Sequence, residues 1–224
     1  EIDLYLDLLE IENRPESIYK TEAPNILSLS DNSKKILSHN KFKLENYYIV
    51  QLSAANGGQT PKIWPKSNFQ MLLSKMINQD MKIIIVGDKN EREHSEEVLD
   101  GITKNIINLT GLVSLLDTIF LIKDAECIIC HDSGLMHIAD AYNRPLIALF
   151  GPGNLVKNYP KSKLSQVASI SMACSPCMGR FYSGFKSEAE ALEKCPYDIA
   201  CMKNLAPEMV WNMIESTIRI DTLE

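Results

Sequence analysis

The sequence contains five short apolar runs separated by segments of helical periodicity, and this pattern restricts the folds that the chain can adopt. In chain order they cover Tyr47–Leu52, Met81–Val86, Asn105–Leu109, Cys127–Cys130 and Pro145–Phe150. The clearest runs, such as YYIVQL and PLIALF, lack the polar alternation of a strand with one wet face, so they are typical of strands buried on both faces. Helices between such strands require a parallel sheet, and right-handed crossovers then predict a Rossmann-like, doubly wound α/β domain.

The segments between the runs supply the helices that this fold needs. Apolar positions at helical spacing predict helices at Lys66–Asn78, from about Glu91, at Ser114–Lys123 and at Leu135–Tyr142. A last helix is predicted at Pro207–Ile220, whose apolar positions either cover the sheet or face a neighbouring domain. A short helix around Asn32–Ser38 is predicted within a polar connector that precedes the first run.

Composition narrows the class of protein. The 224 residues are 45% hydrophobic and 23% charged, which is typical of a globular chain rather than a disordered one. With 23 basic and 29 acidic side chains the net charge is −6, which argues against a nucleic-acid-binding surface but allows a local anion site. No apolar run approaches the roughly 20 residues that span a bilayer, and no signal-peptide pattern opens the chain. We therefore expect a cytoplasmic protein without a transmembrane segment.

Ligands of doubly wound sheets bind at the loops that follow the strands, and the strongest candidate loop here is HDSGLMH at 131–137. Asp132 is expected to cap the next helix, which leaves the amide groups of Ser133 and Gly134 facing an anion such as phosphate. An ordinary capped turn would use the same residues. His137, one turn further on, fits either a core position or a ligand contact.

Two other loops carry weaker signals. The loop at 53–65 combines a Gly-Gly pair with Lys62, although its spacing is not that of a Walker loop and a solvated loop fits it as well. After the second run, the segment Gly87-Asp-Lys-Asn-Glu91 places an acidic residue near the end of a central strand, where it could accept ribose hydroxyl groups, although acidic residues are also favoured at any helix start.

Six motifs in a fixed order carry a resemblance between this chain and one family. They are Lys62-x-Trp64-Pro65, Gly87-x-x-x-Glu91, Asn108-Leu-Thr-Gly111, Asp132-Ser-Gly-x-x-His137, Ala148-Leu-Phe-Gly-Pro152 and Cys174-Ser-Pro-Cys177. With all six in register, the chain from Tyr47 onwards resembles the carboxyl-terminal domain of glycosyltransferase family 9, the lipopolysaccharide heptosyltransferases.

The resemblance implies a GT-B architecture, in which two Rossmann-like domains face each other across a cleft. Residues 46–224 would form the carboxyl-terminal nucleotide-sugar-binding domain, and residues 1–45 the end of the amino-terminal domain and the interdomain linker. The implied reaction is inverting transfer of heptose from ADP-heptose to a lipid-linked core oligosaccharide, at the inner face of the bacterial inner membrane. The general base would lie in the amino-terminal domain, so no catalytic residue is expected in this chain, and the reaction would need no cofactor.

The resemblance also implies a role for each matching residue. Lys62 would neutralise the diphosphate, Glu91 would hold the ribose hydroxyl groups, and Asp132 would hold the sugar hydroxyl groups. The other members of the implied donor site are Leu112 and Val113 beside the adenine, the amides of Ser133, Gly134 and Leu135 around the diphosphate, and His137. The loop before Lys62 carries Asn56-Gly-Gly-Gln where many relatives have Ser or Thr, so phosphate contacts from its side chains are not carried over.

The six cysteines form two groups. Cys127 and Cys130 lie within an apolar run and are interpreted as small core side chains. The other four, Cys174, Cys177, Cys195 and Cys201, have a C-x2-C, then C-x5-C spacing that approximates a four-thiolate structural zinc site. Thiols packed against one another are an equal alternative, and disulfides are disfavoured because nothing indicates export.

Two functions of other classes fit the residues taken alone. One is a noncatalytic nucleotide-sugar-binding or regulatory module, and the other is a zinc-stabilised α/β interaction domain without a small-molecule ligand.

Overall fold

A six-stranded parallel sheet with helices on both faces forms the centre of the molecule. The computed structural model describes residues 26, 28–54, 60–175, 177 and 187–221. The strands are β1 Tyr47–Gln51, β2 Lys82–Val86, β3 Ile106–Asn108, β4 Cys127–His131, β5 Leu146–Phe150 and β6 Ser165–Ser169. Their order is β3-β2-β1-β4-β5-β6, and every neighbouring pair is parallel. This is the doubly wound order of dinucleotide-binding sheets, so the predicted fold class is confirmed.

The helices occupy the crossovers between the strands and the carboxyl-terminal part of the chain. They are α1 Asp31–His39, α2 Lys66–Asn78, α3 Arg92–Val98, α4 Leu115–Lys123, α5 Gly134–Ala141, α6 Leu155–Asn158, α7 Glu188–Lys194, α8 Ala200–Lys203 and α9 Pro207–Asp221. A 3-10 turn at Lys89–Glu91 leads into α3. None of the helices in the described part of the chain combines the length and apolar character that a bilayer-spanning helix needs.

The predicted elements agree with these bounds to within one or two residues, and four elements were missed. The missed elements are β6, α6, α7 and α8. β6 is an edge strand with the sequence SQVAS, and only Ala168 of its five residues is fully covered, so it lacks the apolar run that marks the inner strands. The Gly-Gly pair at 57–58 lies outside the described residues.

Each inner strand is buried on both faces. Along β1, Tyr48 and Val50 belong to the core on one side of the sheet, and Tyr47 and Ile49 belong to the core on the other side. Successive side chains of a strand point to opposite faces, so a strand between two cores must be apolar at every position. This is why the sequence shows continuous apolar runs instead of an alternating pattern.

The paired cysteines of β4 illustrate the same geometry. Cys127 lies in the core on one face of the sheet and Cys130 in the core on the other, and both are fully buried. Burial raises the pKa of the Cys130 thiol far above its ordinary value. The interpretation of both residues as small core side chains is confirmed.

The segment before β1 is fastened to the domain by one buried carboxylate. Asp117, at the start of α4, accepts hydrogen bonds from the backbone N–H of Ser30 at 2.6 Å and from the Ser30 hydroxyl at 3.0 Å. It also accepts bonds from the backbone N–H and hydroxyl of Ser114 in a capping box. Leu29 and Leu37 are buried in the same core as β1, so the described part of the predicted linker packs onto this domain. The predicted domain boundary at residue 46 stays a prediction.

Asp117 gives the fold a defined dependence on pH. Burial alone would raise its pKa, but the hydrogen bonds from Ser114 and Ser30 outweigh burial and lower the pKa from 3.8 to about 2. Because the folded-state pKa lies below the unfolded value, this carboxylate stabilises the fold above about pH 4. That contribution, about 2 kcal/mol, is lost as the pH falls towards 2.

Replacing the carboxylate should therefore reduce stability in a pH-dependent way. In Asp117→Asn we expect a loss of about 2 kcal/mol in the free energy of unfolding at pH 7, shrinking as the pH falls from about 4 to about 2. Urea denaturation across this pH range measures it. Asp31→Asn is the matched control, because the Asp31 side chain is 92% exposed. An equal effect of both substitutions, or a deficit independent of pH, would contradict the assignment.

Candidate functional site

One cavity of about 670 Å³ opens at the carboxyl edge of the sheet, above β1, β2 and β4. Seven of the nine residues predicted for the donor site line it: Lys62, Glu91, Val113, Asp132, Ser133, Gly134 and Leu135. Its size is typical of a small-molecule site, for which cavities of roughly 300–1,000 Å³ are usual. The structure therefore brings together, in one cavity, residues from the segments that follow four different strands, β1 to β4.

At one wall of the cavity the amino terminus of α5 carries no side-chain cap. Ser133 is the N-cap residue, with extended backbone angles φ −147° and ψ 171°. Its hydroxyl donates to Gln51 Oε1 at 2.8 Å instead of accepting from the helix. The expected cap by Asp132 is wrong, because the helix begins one residue later than that cap requires. Among the described residues no side chain caps this terminus, so its first-turn N–H groups have the arrangement of an anion site.

The carboxylate of Asp132 is fixed by contacts on three sides. Its Oδ1 accepts a hydrogen bond from Asn158 Nδ2 at 3.0 Å, and its Oδ2 lies 3.4 Å from Lys62 Nζ. Gly153 lies against the same oxygen, since a Cβ at that position would come within 2.3 Å of Oδ2. Only glycine fits at position 153 with Asp132 in this orientation, so the Gly-Pro-Gly turn after β5 serves to accommodate a buried carboxylate.

The loop that carries Lys62 is anchored by Trp64, which is fully buried. The backbone N–H of Trp64 donates to His131 Nε2 at 3.1 Å, and its indole N–H donates to the Leu205 carbonyl at 2.8 Å. Phe69 packs edge-on against both the Trp64 and the His131 rings. Lys62, two residues before this anchor, is thereby held beside Asp132, the residue that follows His131.

A buried carboxylate lies at a second wall of the cavity. Glu91 Oε2 accepts the backbone N–H of Asp88 at 2.9 Å, and the Asp88 side chain caps Glu91 in return. Gly87 passes directly over this carboxylate, where a Cβ would lie 2.5 Å from Oε2. At Gly111 the backbone has a φ of +68° and packs against Lys89, so two glycines shape the wall around Glu91.

Two predicted site residues are not brought into the cavity. Leu112 is 40% exposed and absent from the lining, and its carbonyl accepts a hydrogen bond from Asn32 Nδ2 at 3.2 Å. His137 lies on α5 as expected, but it is exposed and also outside the lining. The alternative interpretation of His137 as a core residue is therefore wrong, because position 137 falls on the outer side of a helix whose buried residues are Met136 and Ala139.

Four residues that support the site were missed from the sequence: Gln51, His131, Asn158 and Glu188. Gln51 ends an apolar strand with a polar side chain, and this was the one local signal that could have marked it. His131 was included only as the first residue of the HDSGLMH loop, without a role of its own. Asn158 and Glu188 come from α6 and α7, far along the chain from Asp132 and Lys62, and no local pattern reports such a contact.

His131 is a neutral, buried imidazole. Burial is the main cause that lowers its pKa from 6.5 to about 3, with smaller contributions in the same direction from His94 and Lys62. A neutral ring is required by its contact, since Nε2 can accept the Trp64 N–H only while it carries no proton. The unfolded chain binds a proton at this residue below about pH 6.5, so its contribution to stability is lost as the pH falls from there towards 3.

The remaining four cysteines border one small cavity beside the site. Cys174, Cys177, Cys195 and Cys201 line it together with Pro152 and Met172. Burial, with smaller contributions from the three neighbouring thiols, raises the pKa of Cys201 to about 11. Among the described residues, no group of three or more His, Cys, Asp or Glu side chains is placed as a set of metal ligands. The zinc site stays a prediction.

Comparison with known proteins decides the family. The family model described as glycosyltransferase family 9 (heptosyltransferase) matches residues 7–183, well over half of the chain. The chain belongs to glycosyltransferase family 9. Within this family it is 33% identical over 113 residues to lipopolysaccharide heptosyltransferase 2 of Salmonella typhimurium, a match that covers 49% of this chain and 32% of the relative. The relatives are therefore much longer than the part that this chain matches.

Solved structures of family members show the same fold. Escherichia coli ADP-heptose lipopolysaccharide heptosyltransferase II superposes with a TM-score of 0.65 at 22% identity, over 88% of this chain and 54% of that one. A family 9 glycosyltransferase from Veillonella parvula superposes with a TM-score of 0.67 at 17% identity, over 96% of this chain and 59% of that one. In both cases this family 9 chain spans little more than half of the solved structure.

The buried histidine of this family 9 chain offers a direct test of the site geometry. In ¹H–¹³C NMR spectra we expect the His131 ring signals to remain those of the neutral imidazole from pH 8 to pH 5. His131→Asn identifies the signal by its disappearance. A His131 signal that titrates with a midpoint above pH 5 would contradict the buried, hydrogen-bonded placement of the ring.

Proposed function

We propose that this chain is the donor-binding domain of a heptosyltransferase that transfers heptose from ADP-heptose to a lipopolysaccharide core acceptor. The observation that carries the proposal is the meeting of an uncapped helix terminus, a lysine–aspartate pair and a buried glutamate around one cavity. These are an anion-binding group, a cation and two acceptors of hydroxyl hydrogen bonds. A nucleotide diphosphate sugar offers one partner for each of them.

The diphosphate is assigned to the wall formed by α5. The amide groups of Ser133, Gly134 and Leu135 form the positive end of the helix dipole, and Lys62 Nζ supplies a full positive charge close to it. Transfer of the sugar leaves negative charge on the departing diphosphate. Groups that are already oriented stabilise this charge as it develops, and neither a divalent metal nor another cofactor is needed for that.

The nucleoside is assigned to the wall formed by Glu91. An ionised carboxylate only accepts hydrogen bonds, and ribose hydroxyl groups donate them. Glu91 is held rigidly by its capping box, so it would present its acceptor without paying for side-chain ordering on binding. Val113 and Leu115 supply an apolar surface next to it, which suits an adenine ring.

The sugar is assigned to Asp132. Because Asn158 and Gly153 fix the carboxylate, its position relative to the α5 terminus is defined, and a sugar attached to the bound diphosphate would reach it. Inverting chemistry also needs an acceptor hydroxyl and a general base. We assign both to an amino-terminal domain of the whole protein, with the lipid-linked acceptor reached from the cytoplasmic face of the membrane.

Ligand binding tests the proposal without requiring turnover. By isothermal titration calorimetry we expect ADP and ADP-heptose to bind, and UDP and UDP-sugars to bind more weakly or not at all. Failure of every ADP-linked compound to bind would remove the main support. If ADP-heptose binds but the whole protein shows no transferase activity, a noncatalytic nucleotide-sugar-binding module is favoured instead.

Substitutions at the phosphate and sugar positions should weaken binding selectively. Lys62→Ala and Asp132→Ala should each cost on the order of 1–3 kcal/mol in ADP-heptose binding, the range for a lost hydrogen bond to a charged group. Lys66→Ala, which removes an exposed lysine at the start of the next helix, is the matched control and should leave the affinity unchanged. Unchanged affinity in both site variants would place the ligand elsewhere.

For the four-cysteine cluster we propose a structural zinc site. The four thiols border one cavity, and Cys195 Sγ accepts the backbone N–H of Ile199 at 3.3 Å. Ile199 reaches this position with a left-handed φ of +55°, which is unusual for a β-branched residue. As placed, the thiols form no set of metal ligands, so the site requires their side chains to turn towards a shared ion.

Metal analysis decides between zinc and packed thiols. Purified protein should contain about one zinc per chain by inductively coupled plasma mass spectrometry, and Cys174→Ser should lose it, because structural zinc is held by four ligands. Cys127→Ser is the matched control, since that thiol lies in the sheet core. Four thiols that react with Ellman's reagent in the native protein, without any bound metal, would overturn the zinc site.

A further inference from the structure

The ammonium group of Lys62 lies between two carboxylates that belong to separate segments of the chain, Asp132 after β4 and Glu188 at the start of α7. Its Nζ is 3.4 Å from Asp132 Oδ2 and 3.3 Å from Glu188 Oε1. The Asp132 side chain is 6% exposed and the Glu188 side chain 25% exposed, so both carboxylates are largely removed from water. The cluster has one positive and two negative charges.

This charge balance does not fit a site that binds only a diphosphate. A second carboxylate next to Lys62 offsets the attraction of its ammonium for phosphate, and in a partly buried setting like charges repel strongly. Asp132 alone would already pair with Lys62. Anion binding therefore does not explain why Glu188 lies next to Lys62.

The remaining hydrogen-bonding capacity of the two carboxylates points to a different role. Asp132 Oδ2 and Glu188 Oε2 are buried and accept no hydrogen bond from the described residues, and Asp132 Oδ2 has only its ion pair with Lys62 Nζ at 3.4 Å. Buried acceptors without donors are costly, and a carboxylate accepts several hydrogen bonds but donates none. The groups that satisfy two such oxygens beside a lysine are neighbouring hydroxyl groups, which donate to the carboxylates and accept from the ammonium.

The position of Glu188 is built into the fold. It is the first residue of α7, which is capped by the Ser187 hydroxyl accepting the Glu190 N–H at 3.1 Å. On the same helix Ala191 is buried and lines the cysteine cavity, so α7 is packed against the domain at the level of Glu188. Helix-start acids are common, but the exposed Glu193 on the same helix shows no contact of this kind among the described residues.

We propose that Glu188 is a specificity-determining residue that reads the hydroxyl groups of the donor sugar together with Asp132, on either side of the Lys62 ammonium. The proposal deepens the proposed function and rests on it for the identity of the nucleotide sugar. It assigns α7 to the sugar end of the site rather than to the nucleotide end. ADP, which lacks the sugar, should be indifferent to Glu188, whereas ADP-heptose should depend on it.

Calorimetry with two ligands separates this role from the alternatives. In the full 224-residue chain, Glu188→Gln should weaken ADP-heptose binding about tenfold, as expected for a lost hydrogen bond to a charged group. The same variant should change ADP binding by less than about twofold, or tighten it because a competing charge is removed. Glu193→Gln is the matched control on the same helix and should change neither affinity.

A second variant keeps the test decisive if Glu188→Gln folds poorly. Glu188→Asp retains the charge next to Lys62 but draws the carboxylate back, so it should also weaken ADP-heptose binding selectively. Equal effects of the Gln variant on both ligands, with recovery in the Asp variant, would overturn the proposal and reduce Glu188 to a counter-ion of Lys62. Unchanged affinity for ADP-heptose in both variants would overturn it as well. Wild-type protein that binds neither ADP nor ADP-heptose would instead refute the proposed function itself.

Discussion

One hydrogen bond within the core, from the Trp64 backbone N–H to the His131 ring, holds the two halves of the site together. It joins the loop after β1 to the end of β4, and thereby places Lys62 beside Asp132. The bond is protected on all sides, since both residues are fully buried and Phe69 packs against both rings. In such surroundings an unmade hydrogen bond is costly, so the geometry of the cation–carboxylate pair follows from the packing of the core rather than from the exposed loop.

Different positions along the carboxyl edge of the sheet carry different chemical groups. Backbone amides and a lysine meet at the end of β4, and a buried glutamate caps its own turn after β2. Both acidic positions are made possible by glycine, at 87 over Glu91 and at 153 over Asp132. Carboxylates are thus embedded in backbone, where neither can rotate away. Rigid acceptors of this kind favour recognition of hydroxyl groups at fixed spacing over general attraction of cations.

The fold and most of the cavity lining could be predicted from the sequence because both depend on local patterns. Buried parallel strands show as continuous apolar runs, and strand-end loops such as that around Asp132 show as polar motifs directly after them. What the sequence did not reveal depends on contacts between distant segments. The polar edge strand β6 has no apolar run, Ser133 bonds to Gln51 instead of capping its own helix, and Glu188 reaches Lys62 across 126 positions of the chain. The core interpretation of His137 was wrong because helical spacing alone does not say which side of α5 faces the sheet.

The reactivity of the two cysteines of β4 reports the opening of the sheet core. They lie on opposite faces of the central sheet, so no movement short of separating the strands can join them or expose both. A thiol reagent added to the native protein first meets the partly exposed Cys174, Cys177 and Cys195, whereas Cys201 is buried, and it reaches Cys127 and Cys130 in the sheet core only when the sheet opens. The rate at which Cys127 and Cys130 are modified therefore measures how often the whole core opens, independently of events at the ligand cavity.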